Sequence, residues 1–148
     1  MCVIVDNNLV SRVLVKDDPQ FAPVKKSIMT RRHKLVHGGK LTREYVRDGK
    51  VRSVLRTLDE AGLSRIVDAG SIENRVALLT ANKSCCSDDS HVIALAQVSN
   101  TRLLCSLDNA LIADFRNKAL IDKPRGSVYK CAEHERLVQK GCKVCRVV

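Results

Sequence analysis

The sequence predicts an α/β protein with three α/β/α layers around a central, mainly parallel sheet. Two observations carry that reading. Short apolar runs at residues 2–5, 34–37 and 102–106 are each followed by a stretch whose apolar residues recur at helical spacing, the alternation that βαβ units produce. With two Tyr, two Phe and no Trp, the interior must be built from Val, Leu, Ile and Ala, a composition that suits a sheet covered on both faces. A chain of 148 residues with 45% hydrophobic content is long enough to bury a core as one ordinary domain.

In chain order, Cys2-Val3-Ile4-Val5 is continuously apolar, as a central strand should be, and Asp6-Asn7-Asn8 leads into a helix carrying Leu9, Val10, Val13 and Leu14. A second helix is expected after Pro19, burying Phe21, Val24, Ile28 and Met29. Lys34-Leu35-Val36-His37 forms a short strand ended by Gly38-Gly39. Leu41, Tyr45, Val51, Val54, Leu55 and Leu58 then keep helical spacing to Ala61-Gly62, with a break at Asp48-Gly49. Residues 64–68 are expected to form an edge strand and residues 72–81 a helix. Ser87-Asp88-Asp89-Ser90 has the short oxygen-bearing side chains of a helix start, before Val92-Ile93-Ala94-Leu95-Ala96. The strand at 102–106 leads to Asp108 and a helix through Phe115, and Ala119-Leu120-Ile121 is expected to close the sheet. Lys123-Pro124-Arg125-Gly126 marks the one boundary, giving a domain at 1–126 and a tail at 127–148.

The balance of 26 Lys+Arg against 16 Asp+Glu, formally +10, favours a polyanionic partner such as nucleic acid or an anionic membrane surface. Candidate phosphate contacts are Lys25, Lys26, Arg31, Arg32, Arg43, Arg47, Arg52 and Arg56. So few aromatics exclude an extended base-stacking platform. No apolar run approaches the roughly 20 residues of a membrane span, and Val3-Ile4-Val5 gives way to Asp6 too soon for a secretory leader. The expected location is the cytoplasm. Seven cysteines, an odd number with Cys85 and Cys86 adjacent, point to reduced thiols or metal ligands rather than a secreted disulfide framework.

The acids carry the functional signal. Asp6 and Asp108 follow strands, while Glu44 and Asp89 lie near helix starts. In a parallel sheet the chain leaves every strand at the same edge, so such acids converge on one crevice. Converged carboxylates repel unless cations hold them. Taken singly, each has a plainer reading: Asp89 as a helix cap, Glu44 as a solvated charge, Asp6 and Asp108 as turn residues.

Taken together, Ile4-Val5-Asp6-Asn7-Asn8, the segment from Val36 to Glu44, Ser87-Asp88-Asp89-Ser90-His91 with its following apolar helix, and Leu104-Cys105-Ser106-Leu107-Asp108 resemble the PIN-domain nucleases over residues 1–126. The resemblance implies a PIN-like fold whose acidic pocket binds Mg²⁺ or Mn²⁺ and hydrolyses phosphodiester bonds, usually in RNA. By position it implies Asp6, Glu44, Asp89 and Asp108 as the catalytic, metal-holding set, with Asn8, Ser106 and Asp88 in support and Asp114 as an outer, water-mediated ligand. It also implies the toxin role of small relatives, with an antitoxin protein that blocks the pocket, and a homodimer. The alternatives are a silent nucleic-acid-binding or regulatory module and a protein-interaction domain.

In the tail, Cys131-x2-His134-x7-Cys142-x2-Cys145 offers four soft ligands for a structural Zn²⁺. The resemblance offers a competing role for His134, as the end of a Tyr-x4-His stretch from Tyr129 that packs or caps.

Overall fold

A computed structural model describes residues 2–139. Five strands, β1 (Cys2–Val5), β2 (Lys34–Gly38), β3 (Ser64–Val67), β4 (Leu103–Cys105) and β5 (Ser127–Tyr129), form one sheet in the order β3-β2-β1-β4-β5. All four pairings are parallel, with Val3 beside Leu35, Val5 beside Cys105, Gly38 beside Val67 and Cys105 beside Tyr129. Parallel neighbours require crossovers. These are made by helices α1 (Asn7–Leu14), α2 (Ala22–Met29), α3 (Gly39–Tyr45), α4 (Gly49–Glu60), α5 (Ala69–Ala81), α6 (Ser90–Ser99) and α7 (Asn109–Arg116), which flank the sheet to give the three-layer α/β/α fold expected. A short α8 (Arg136–Gln139) follows. Among the described residues no helix is long and apolar enough to cross a membrane.

Local chemistry explains most boundaries. Val3, Ile4 and Val5 are wholly buried, as the middle strand of a doubly covered sheet demands. The helical stretch after Gly39 breaks where expected, because the Asp48 carboxylate accepts from the Lys50 and Val51 N–H groups and starts α4 afresh. Asp68 does the same through Ser71 N–H at 2.9 Å, which ends β3 at Val67 and starts α5 earlier than expected. Helix α6 buries Val92 through Ala96 on every side and stops at Asn100, which adopts the left-handed conformation common at helix ends. Gly38 has no room for a side chain, since a Cβ there would lie 2.5 Å from the Val67 carbonyl oxygen.

The closing strand differs from the expectation. Residues 119–121 form a turn, in which the Asn117 side chain accepts from Ala119 N–H and its carbonyl accepts from both Leu120 and Ile121. The apolar pair Leu120-Ile121 is buried as a plug instead of being paired in the sheet. The fifth strand is Ser127–Tyr129, so the sheet runs past the boundary expected at 126 and the first part of the tail belongs to the same body. Tyr129 reinforces this by donating its hydroxyl to the Gln20 carbonyl at 2.7 Å. The turn into β5 depends on Gly126, where a Cβ would lie 2.4 Å from the Phe115 carbonyl oxygen and 2.5 Å from its ring. Gly126→Ala is therefore expected to lower stability by about 1–3 kcal/mol, as overpacking does, read from the urea midpoint.

Cys2 is disulfide-bonded, which corrects the expectation of reduced thiols at that position. Cys85, Cys86, Cys105 and Cys131 are free.

Candidate acidic site

The strand order fixes where a site can form. From β1 the chain moves outward through β2 to β3, then returns to the other side of β1 as β4 and continues to β5. The reversal leaves a crevice beyond the carboxyl ends of β1 and β4, where open α/β sheets bind ligands. Asp6 is the first residue after β1 and Asp108 the third after β4.

One hydroxyl ties the two ends together. Ser106 Oγ donates to Asp6 Oδ2 at 2.8 Å and accepts from the Asp108 N–H at 3.1 Å, deep enough to be fully buried. Asp108 in turn caps α7, its Oδ1 accepting from Ala110 and Leu111 N–H. Its turn-residue role is thus real, and it coexists with a place in the crevice. Asp6 occupies the cap position of α1 without making a side-chain cap hydrogen bond, and Asp89 does likewise before α6. The plainer reading of Asp89 as a helix cap is not the one the fold uses.

Glu44 reaches the crevice from α3. Its neighbour Tyr45 is wholly buried and donates its hydroxyl to the Val5 carbonyl, pinning α3 to the end of β1. Glu44 Oε1 lies 2.6 Å from His91 Nε2 on α6.

Asp6 and Asp89 sense the charges of the other acids. Burial chiefly raises the Asp6 pKa above its ordinary value; the Ser106 hydroxyl and the nearby Asn8 backbone N–H oppose it, and the charges of Asp108 and Glu44 add to it. Burial also leads the rise at Asp89, reinforced by Asp6, Asp108 and Glu44 and opposed by His91. Side chains from four separate segments therefore share one electrostatic environment. They are not drawn into a tight cluster: among the described residues no three His, Cys, Asp or Glu side chains form a closed metal-holding group.

The supporting residues divide. Ser106 orients Asp6 as described, whereas Asn8 and Asp88 are exposed. Asp114 is 1% exposed and both its oxygens are engaged within the protein: Oδ1 accepts from Cys86 N–H, and Oδ2 accepts from Ser87 N–H and Oγ–H, at 2.7–2.9 Å. Ser87 Oγ also accepts from Asp89 N–H at 3.4 Å. Asp114 thus acts from α7 as the anchor of the loop that presents Asp89. Beside that anchor, burial pushes the Cys85 thiol up, away from the reactive thiolate.

Two residues of the site escaped the sequence reading. Tyr45 counted only as part of an apolar helix face, and His91 only as a member of the Ser87–His91 motif with no role of its own, whereas His91 is 5% exposed. The Asp89-x-His91 spacing was the available signal. His37 is elsewhere, held by Thr42 Oγ1 at 2.7 Å and Asp59 Oδ1 at 3.0 Å, with both ring nitrogens engaged in joining β2, α3 and α4.

Beside Glu44 opens a cleft of about 400 Å³ lined by Asn7, Ser11, Glu44, Arg47 and Asp48. Arg47 is the phosphate-contact candidate that lines it. Others lie in different grooves, Lys25 and Lys26 with Asp17 and Asp18, and Arg52 and Arg56 with Asp59 and Glu60.

Of the proposed zinc ligands, Cys142 and Cys145 lie outside the described residues. Cys131 is a half-buried free thiol. His134 packs edge-on against Tyr129, ring centroids 6.2 Å apart, and its Nδ1 accepts from the Lys130 N–H at 3.1 Å, the packing and capping role that competed with zinc.

Compared with known proteins, the chain matches no family model, no curated protein and no solved structure.

Proposed function

We propose that the protein is a Mg²⁺- or Mn²⁺-dependent ribonuclease of the PIN-like kind. The observation that supports this most is that Asp6 and Asp89, at the reversal of the strand order, lie close enough to Glu44 and Asp108 for those charges to help raise the Asp6 and Asp89 pKa. Carboxyl oxygens in that arrangement suit a hard divalent cation, and Asp6, Glu44, Asp89 and Asp108 would hold it. When bound, such a cation lowers the pKa of an attacking water and offsets charge on the phosphate. The chain's own residues do the rest. Ser106 fixes the rotamer of Asp6, α7 holds Asp108 through its first N–H groups, and the Asp114–Ser87 bonds steady Asp89. With Asp114 committed to that loop, the four acids are the whole ligand set in this reading.

Substrate affinity would come from phosphate contacts, and Arg47 in the cleft beside Glu44 is the first of them. Arg47→Gln is expected to weaken binding of single-stranded RNA about equally for all sequences, and to reduce the salt slope of log K by about 0.7, one phosphate's share. A filter-binding titration against salt reads both. The antitoxin partner and the homodimer are carried by the family resemblance alone.

The direct test incubates the protein with labelled single-stranded and structured RNA in Mn²⁺, Mg²⁺ or chelator. Cleavage that needs the metal is the expected result. Intact RNA under every condition, with protein shown to be folded, gives the chain to the alternative class of silent binding modules.

A further inference from the structure

Each acid of the crevice arrives differently, and each has something that fixes its carboxylate. Asp6 has the Ser106 hydroxyl, Asp108 has the first N–H groups of α7, and Asp89 has a loop tied to Asp114. Glu44 is the exception in kind. It projects from a helix, not from a strand end, and its longer side chain has more rotamer freedom to lose before it can hold anything in place. The one hydrogen-bond partner of its side chain among the described residues is His91, whose Nε2 lies 2.6 Å from Oε1.

We propose that His91 is a positioning residue for Glu44, donating from Nε2 to Oε1 and leaving Oε2 available to a cation; this rests on the metal-site reading above. The placement of His91 supports it. It follows Asp89 by two residues on the first turn of α6, so one rigid helix start presents one acid directly and orients a second across the crevice. His91 is buried and the Glu44 side chain is only 18% exposed, so water competes little for the bond. Nε2, once it donates its hydrogen, has no lone pair for a metal, while Nδ1 keeps one; the variants below separate a positioning role from that of a ligand. The arrangement mirrors the common one in which a carboxylate steadies a metal-bound histidine: here the imidazole would steady the carboxylate.

The test uses the full chain and Mn²⁺ alone, with binding followed by the paramagnetic resonance of the free ion. His91→Met keeps the volume and removes the donor; His91→Gln keeps a donor at similar reach. The Met variant is expected to bind Mn²⁺ about 10- to 100-fold more weakly, the usual cost of losing an outer partner of a metal ligand, and the Gln variant to return close to the parent. If His91→Met does not fold, His91→Asn, whose amide is too short to reach Glu44, makes the same comparison. Equal affinity in parent and variants overturns the positioning role and leaves the metal site standing. Loss in Met and Gln alike overturns it in favour of His91 as a ligand. A parent that binds no Mn²⁺ removes the site reading, and this inference with it.

Discussion

Asp6→Asn and Asp108→Asn are each expected, on the function proposed above, to abolish metal-dependent RNA cleavage while leaving the fold intact. The loss should exceed the about 10- to 100-fold that follows removal of an outer partner, because a ligand's charge is removed and not merely its support. Stability should move the other way at position 6. Burial and the neighbouring acids hold the Asp6 pKa above its ordinary value, so the folded state carries that charge at a cost near neutral pH. As pH falls through the raised pKa the folded protein takes up the proton before the unfolded chain does, and stability is recovered. Asn carries no charge and can still accept from Ser106, so the metal-free variant should melt at or above the parent at pH 7. An Asp6→Asn protein that keeps cutting RNA would sink the assignment; one that loses both activity and fold would show Asp6 to be structural.

The second large effect concerns acid. His33 is 1% exposed, with its Nδ1 against the Ser27 hydroxyl, and burial drives its pKa from 6.5 down to about 4. Above pH 6.5 the ring is neutral in both states and its contribution is fully present. Below that the unfolded chain binds the proton and the folded one resists, so stability is lost as pH falls from 6.5 to about 4, reaching about 3 kcal/mol. Asp6 and Asp89 push the opposite way over part of this range. The clean measurement is therefore a difference: urea unfolding of parent and His33→Gln at pH 7, 5.5 and 4.5. The gap between them should shrink or reverse toward pH 4.5, and a constant gap would exclude His33 as the acid-labile group.

Much of the architecture was readable because its signals are local. Val3, Ile4 and Val5 are apolar without interruption, and a strand buried on both faces has no other composition available. The break before α4 was readable at Asp48-Gly49 for the same kind of reason, a side chain capping its own helix. The closing strand was not, because Leu120-Ile121 and Val128-Tyr129 are equally apolar pairs. What chooses between them is the Asn117 turn, together with the close approach of Gly126 to Phe115 and the pairing of residues 127–129 with β4, which lie apart in sequence. The site divides along the same line. Acids next to strand ends announce themselves by position, but the Glu44–His91 and Tyr45–Val5 bonds join residues 47 and 40 positions apart. No local pattern encodes either.

The Ser106–Asp6 bond spans 100 positions, and that distance has a consequence for synthesis. A chain growing on the ribosome presents Asp6 well before its partner strand and the acid beyond it, which emerge about 100 residues later. Until β4 docks beside β1, the early acids are unconnected groups on an incomplete sheet. On the function proposed here, a half-made chain could not cut the message that encodes it, and the competent centre would appear in a single late step of folding.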